Sequence, residues 1–517
     1  MRRLALALLL TPAFAHGQSL WVDPDGRPNP ASWELIRALA DVGQRGLDPA
    51  DYSAAHWQAL ASELEGASVG RDSIIAELDQ GLTVAFIEAL SDLHGGRIDP
   101  AALGYQLHLR REAFDPAAIA GRALTSGRIA DAFDDAEPRL LQYRHIEVAL
   151  AQYRILARDS TLVRVPPIRG VTRSGDPLPE APILRRWLAA LGDLPSAGPP
   201  ASDDVYDESL VRAVRGFQQR RGLDSSGMLD PATVAALRQP VSWYVRRLEL
   251  ALERLRWLPD RDTGQVVVVD IPAFRLWVLD SLRSSAAPTL AMNAIVGQAF
   301  GKQTPVLEQT MQSVVFRPYW DVPSPITRRE IVPELRRDPN YLAKNDMELV
   351  PSTPPGQAIA ALLAGRARVR QRPGPDNALG LIKFVFPNDR DIYLHSTPAQ
   401  QLFLRTRRDF SHGCIRLEHP AALAEYVLRG NLGWTLARID SAMQGTKTFE
   451  VELRRSIPVL VFYATAVAWP DGRVAFYPDI YGHDARLDRA LRERSAAGAA
   501  PDVALRRTDR QGITDSR

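Results

Sequence analysis

The sequence predicts a multidomain α+β protein, helical in its N-terminal half and mainly β in its C-terminal half. Three observations carry this reading. The chain has 517 residues, enough for three to five folding units. Apolar residues recur at three- and four-residue spacing up to about residue 258, then alternate with a period of two from about 264. A Pro/Gly-rich stretch over 165–182 and a second linker, PSAGPPASDD, separate the helical pieces.

Composition narrows the class. Hydrophobic residues make up 45% and charged residues 24%, close to a globular average. A wholly disordered, collagen-like or polytopic membrane chain is excluded. The net charge of +2 provides no basic field for nucleic acid.

The elements follow in order. Residues 1–17 read as a secretory signal peptide: Arg2 and Arg3, an apolar run, then small residues at Ala13 and Ala15. The run is short for a membrane span, so a membrane link is expected only through this segment if it stays uncleaved. Residues 25–165 read as a helical region, with helices over 31–43, 72–96 and 140–158. Asp72 is placed as a cap, and Gly95-Gly96 as a stop. His94, His108 and His145 lie apart, with no pair at ligand spacing.

Residues 182–240 read as a small three-helix unit. Val211, Val214 and Phe217 form one apolar face, Gly227 turns the chain, and Asp230-Pro231 opens the last helix. A helix over 242–258 leads to the β domain, assigned to 264–484. Its segments are 265–280 with a turn at Pro272-Ala273, 291–297, 309–320, 380–386 and 391–396. Residues 327–379 form a partly helical insert, too long for an ordinary loop. The tail 485–517 has few large apolar residues and is expected to be disordered.

The chain has one cysteine, Cys414. An intramolecular disulfide and a Cys-rich zinc site are therefore excluded. An idle thiol risks oxidation in an exported protein, which points to a chemical role. A nucleophilic cysteine needs a base nearby, and His395 ends a predicted strand upstream. Gly413 permits a tight turn that aims N–H groups at an oxyanion. A zinc site of His395, His412 and Cys414 lacks an acidic ligand at suitable spacing. A papain-like order would place Cys before His, the reverse of this chain.

Two resemblances then become specific. The run from Ala213 to Leu237, with Phe217-Gln218, Gly222-Leu223-Asp224, Gly227 and Asp230-Pro231, resembles the three-helix peptidoglycan-binding module. His395, fifteen residues, then Ser411-His412-Gly413-Cys414-Ile415-Arg416 resembles the signature of YkuD-type L,D-transpeptidases. Segments 76–104, 319–323, 336–350 and 372–388 resemble the large members with a scaffold domain and a capping insert.

The resemblance implies a YkuD-like β sandwich and a set of roles. Cys414 would be the nucleophile and His395 the general base, with its imidazole oriented by the Ser396 carbonyl. The N–H groups of Gly413 and Cys414, with the Tyr393 hydroxyl, would form the oxyanion hole. His412 would support the site or act directly. Arg416 would bind a substrate carboxylate or hold the loop, and Trp320 would line the donor groove or pack in the core. Ser411 is placed on the substrate side. No metal and no cofactor are expected.

The implied reaction is 3→3 cross-linking in the periplasm. A tetrapeptide stem acylates the cysteine as a thioester, and a diaminopimelate amine of another stem resolves it. Carbapenems would trap the same thiol. The implied partners are stem peptides and cell-wall synthases, with no nucleic acid. The rival readings are an L,D-carboxypeptidase or cross-link hydrolase of the same fold, an enzyme attaching wall proteins to peptidoglycan, and a non-catalytic wall binder.

Overall fold

The computed structural model describes residues 19–107, 114–194, 204–259, 264–284 and 287–511, with backbone only from 498. The signal segment, His108 and most of the second linker lie outside the described residues. The chain forms two compact units, 1–262 with 464–517, and 263–463.

The first unit begins with α1 (Pro30–Asp41), α2 (Ala54–Gly66), α3 (Arg71–Gly95), α4 (Pro116–Ser126) and α5 (Ile129–Ala136). Asn29 caps α1 by accepting the Ser32 N–H, and proline occupies its first turn. Leu35, Leu39, Leu82, Phe86, Leu90 and Phe133 bury a common core with Trp21. The Trp21 indole donates to Thr83 at 2.9 Å, so its polar atom is satisfied there. Asp72 is not the cap of α3: Gly70 holds that position, without a side-chain bond. Gly96 ends the helix at φ 80°, as the paired glycines predict.

Next come α6 (Leu141–Arg158), α7 (Ala181–Ala190), α8 (Glu208–Arg220), α9 (Pro231–Leu237) and α10 (Val241–Leu255). Val211, Val214 and Phe217 are buried on one face of α8. Asp230 caps α9 through the Thr233 N–H at 2.7 Å. Gln218 donates to Met228 O and accepts from the Gly227 N–H, pinning the turn between α8 and α9.

The second unit carries β1 (Val266–Asp270), β2 (Arg275–Leu279), β3 (Leu290–Gly297), β4 (Leu307–Phe316), β5 (Trp320–Asp321), β6 (Met347–Val350), β7 (Arg368–Gln371), β8 (Ile382–Val385), β9 (Leu394–His395), β10 (Asp409–Ser411), β11 (Ile415–Leu417) and β12 (Phe449–Phe462). Pairing runs β3-β11-β9-β8-β4-β12-β1-β2, and β2 pairs back to β3. The expected sandwich is thus one sheet whose ends meet, leaving β10 as an outer addition on β3. Val267, Leu276, Ala294, Val314, Phe384 and Leu394 fill its interior.

The insert is a small folded body of its own. A helical run, α11 (324–337), has a wider π turn over Thr327–Ile331; α12 (Tyr341–Lys344) and α13 (Ala358–Leu363) follow. A three-stranded sheet, β5-β7-β6, completes it. Val322, Ile331, Val332, Leu335, Leu362 and Val369 form its core. The body starts earlier than the predicted residue 327, because the two-residue β5 carries no readable period. Two helices, α14 (Pro420–Leu428) and α15 (Leu436–Gln444), precede β12.

The chain then rejoins the first unit through β13 (Ala466–Ala468), β14 (Val474–Phe476) and α16 (His483–Gln511). Two expectations are corrected here. The β domain closes at 463 rather than 484. The tail is helical from 483, with Leu487 and Leu491 buried. Ion pairs supply what its composition lacks: Asp484 with Arg254 (2.6 Å), Asp488 with Arg246 (2.6 Å) and Arg494 with Asp92 (2.7 Å). Among the described residues, no helix is long and apolar enough to cross a membrane.

Candidate active site

The sequence from β8 to β11 builds the site by register. In β8, Ile382 and Phe384 point inward and are buried, so Lys383 faces the opposite side of the sheet. Lys383 pairs directly with His395 on β9. On the other flank β11 runs parallel to β9, and Arg416 pairs with His395 there. Ile415 pairs with Leu394, so Cys414, one residue earlier, comes beside Tyr393. The strands therefore gather Cys414, Tyr393, His395, Arg416 and Lys383.

His395 is only 4% exposed. Its Nδ1 lies 2.5 Å from the carbonyl oxygen of Ser396. A carbonyl only accepts, so Nδ1 carries the proton and Nε2 is left basic. Burial, then the Arg416 charge, push the imidazole down to about 3, although the Ser396 and Leu379 carbonyls pull upward. His395 is therefore neutral at ordinary pH, the form a base requires.

Cys414 is partly exposed, and its thiol donates to the Asp391 carbonyl at 3.5 Å. Burial pushes the thiol up, while the N–H and hydroxyl of Tyr393 and the Lys383 ammonium pull it back. Tyr393 is held protonated well above its usual range by burial and by the neighbouring sulfur. The Trp320 indole draws it back toward that range. Trp320, on β5, packs against the core of the insert as well. Trp320 therefore sits between the core of the insert and Tyr393.

The turn between β10 and β11 is braced from within. Ser411, 2% exposed, donates to the Cys414 carbonyl at 2.5 Å and accepts the Gly413 N–H at 3.1 Å. Thr304 donates to the Gly413 carbonyl at 2.7 Å. Gly413 has φ 123°, a region that side chains avoid. This geometry departs from two expectations. The Ser411 hydroxyl is taken up by the loop rather than offered to substrate, and the Gly413 N–H is already bonded. The polar demands of a turn this tight are the physical reason.

His412 points elsewhere. Its Nε2 lies 2.6 Å from Glu330 of α11 and 2.5 Å from Lys302. Partial burial opposes it, but bonds to His412 and Lys302 hold the Glu330 carboxyl below its usual range. His412 therefore ties the turn that carries Cys414 to the insert. Arg416 is largely buried, and its Nε has no hydrogen-bond partner among the described residues.

Sequence reasoning missed Lys383, Glu330, Lys302 and Thr304. A signal existed for Lys383, the one charge in the apolar run LIKFVF. Glu330 and Lys302 sit in polar stretches where nothing marks them. Among the described residues, no group of three or more His, Cys, Asp or Glu is placed to hold a metal.

The comparisons agree in outline. Residues 264–446 match the family described as YkuD, the L,D-transpeptidase catalytic domain. Residues 13–150 match a scaffold domain, and 179–237 match the family described as "Putative peptidoglycan binding domain". The chain is 29% identical over 321 residues to a Haemophilus influenzae protein named "Putative L,D-transpeptidase". That match spans 60% of this chain and about 60% of the length of that relative. A local match to human matrix metalloproteinase-17 is 39% identical over 54 residues, 10% of this chain and 9% of the other.

Proposed function

We propose that this chain, which matches a YkuD L,D-transpeptidase catalytic domain, a scaffold domain and a peptidoglycan-binding domain, forms 3→3 cross-links between peptidoglycan stem peptides. The observation that carries this is the fixed tautomer of His395, which presents a basic Nε2 in the same strand group as the lone thiol.

Acylation comes first. The Cys414 proton passes to Nε2 of His395, and sulfur attacks the carbonyl at the L-centre of diaminopimelate. The Cys414 N–H and the Tyr393 hydroxyl receive the oxyanion, with Arg416 adding positive charge. The C–N bond breaks, the imidazolium returns its proton to the D-Ala amine, and a thioester remains. The side-chain amine of an acceptor diaminopimelate then attacks the thioester and gives up a proton to His395. The departing thiolate recovers that proton. The thioester conserves the energy of the amide, so no cofactor is required. The site of action is the periplasm, beside cell-wall synthases.

Incubation with disaccharide-tetrapeptide tests this. Dimer with release of D-Ala supports cross-linking; tripeptide alone supports the carboxypeptidase reading instead. Cys414→Ala is expected to abolish both the product and the carbapenem adduct seen by mass spectrometry. Persistence of either removes Cys414 from the mechanism.

A further inference from the structure

Lys383 is a half-buried cation that the mechanism above does not use. It stands on β8 directly opposite His395, with its side chain on the same face. Its Nζ lies 3.9 Å from the centre of the Tyr393 ring. Register brings that residue beside Cys414, and its hydroxyl helps draw the thiol down. Among the described residues, Nζ forms no ion pair.

An ammonium taken partly out of water without a carboxylate is costly, and here burial lowers it from its usual range. The groups facing it explain why it is retained. Cys414 is the foremost group drawing it back to the charged state, followed by Asp321, Asp391 and Glu450. Across β9, Arg416 mirrors it, and its charge too responds to Cys414. The imidazole of His395 thus lies between two cations, while the sulfur faces both. Such an arrangement favours a negative charge on sulfur and disfavours a positive charge on the ring.

We propose that Lys383 is a positioning residue for the reaction: held on the Tyr393 ring across from His395, it stabilises the thiolate and keeps the imidazole free to accept the proton. It touches neither substrate nor sulfur; it acts through Tyr393 and through its field. The proposal rests on Cys414 being the nucleophile, and its test needs no cross-linking.

The test is the pH profile of Cys414 alkylation by iodoacetamide, a neutral probe, in the full chain. Cys414 is the only thiol, so the label reads one site. Lys383→Met is expected to move the midpoint upward by roughly one to two pH units. Lys383→Arg is expected to keep it near the unmodified value, since it retains the charge. In the cross-linking assay, Lys383→Met lowers kcat about tenfold or more with little change in KM.

Lys383→Gln replaces the methionine variant if the latter does not fold. A midpoint unmoved in the neutral variant overturns the proposal. So does an equal shift in Lys383→Arg, which would mark a packing role. If alkylation shifts as expected but the unmodified chain makes no dimer, the role of Lys383 stands and the cross-linking reading fails.

Discussion

The Nδ1 of His395 lies 2.5 Å from the carbonyl oxygen of Ser396, its own neighbour in the chain. A carbonyl orients the ring without adding a negative charge, so the upward pull of the Ser396 and Leu379 carbonyls does not offset the burial and the cation of Arg416. The imidazole is pushed down to about 3 from an ordinary value of 6.5. The folded state therefore resists a proton that the unfolded state takes up. Stability contributed by neutral His395 is complete above about pH 6.5 and declines as pH falls toward 3. His395→Gln is expected to remove roughly 3 kcal/mol of the acid sensitivity by about pH 4. Urea midpoints of both proteins near pH 7 and pH 4 check this. His483, depressed by its own burial in the other unit, titrates in both proteins and cancels in the difference. Equal losses on acidification would show that His395 is not the group concerned.

Ser411 braces the turn that carries Cys414. Its hydroxyl closes a three-residue loop by bonding the Cys414 carbonyl and the Gly413 N–H. Ser411→Ala leaves a buried carbonyl and a buried N–H without these partners, a cost of about 1–3 kcal/mol. Thermal stability is expected to fall, and carbapenem acylation of Cys414 to slow about tenfold as the sulfur loses its fixed position. Acylation at the unmodified rate in a folded Ser411→Ala protein would mean that the brace is dispensable.

Much of this was legible in the chain, for physical reasons that differ by element. Cys414 and His395 were found because one thiol and one strand-end histidine have few alternative uses. The α9 cap was found because Asp230 and Pro231 satisfy local demands of a helix start. The closure of the sheet was not legible, since β2–β3 pairing is a long-range outcome with no local mark. The function of Lys383 was hidden for a similar reason: only register places it opposite His395. The tail misled because its stability comes from paired charges, which composition counts as polarity.

The bond between His412 and Glu330 joins residues 82 positions apart, from the Cys414 turn to the insert. Both side chains are partly exposed, so the pair adds little to stability, about 0–1 kcal/mol. Its expected effect lies in holding the insert against the turn. Glu330→Gln should raise KM for the tetrapeptide donor by a few fold, leaving the Cys414 alkylation midpoint unchanged. High salt should reproduce part of the effect in the unmodified chain. A shift in the midpoint would instead place His412 among the groups that tune the thiol.

The last prediction concerns α16. Arg494 bonds both oxygens of Asp92, which also accepts from the Tyr52 hydroxyl at 2.8 Å. Burial pushes Asp92 up to about 6, with Arg494 drawing it back down. Removing the guanidinium leaves a buried carboxylate near neutrality, and a carboxylic acid at lower pH. Arg494→Ala is thus expected to cost roughly 1–3 kcal/mol above about pH 7. The cost should shrink toward pH 5, because the protonated acid needs no counter-charge. Thermal melts across that range read the slope directly. A loss independent of pH would mean that Arg494 holds α16 by packing its stem rather than by pairing with Asp92.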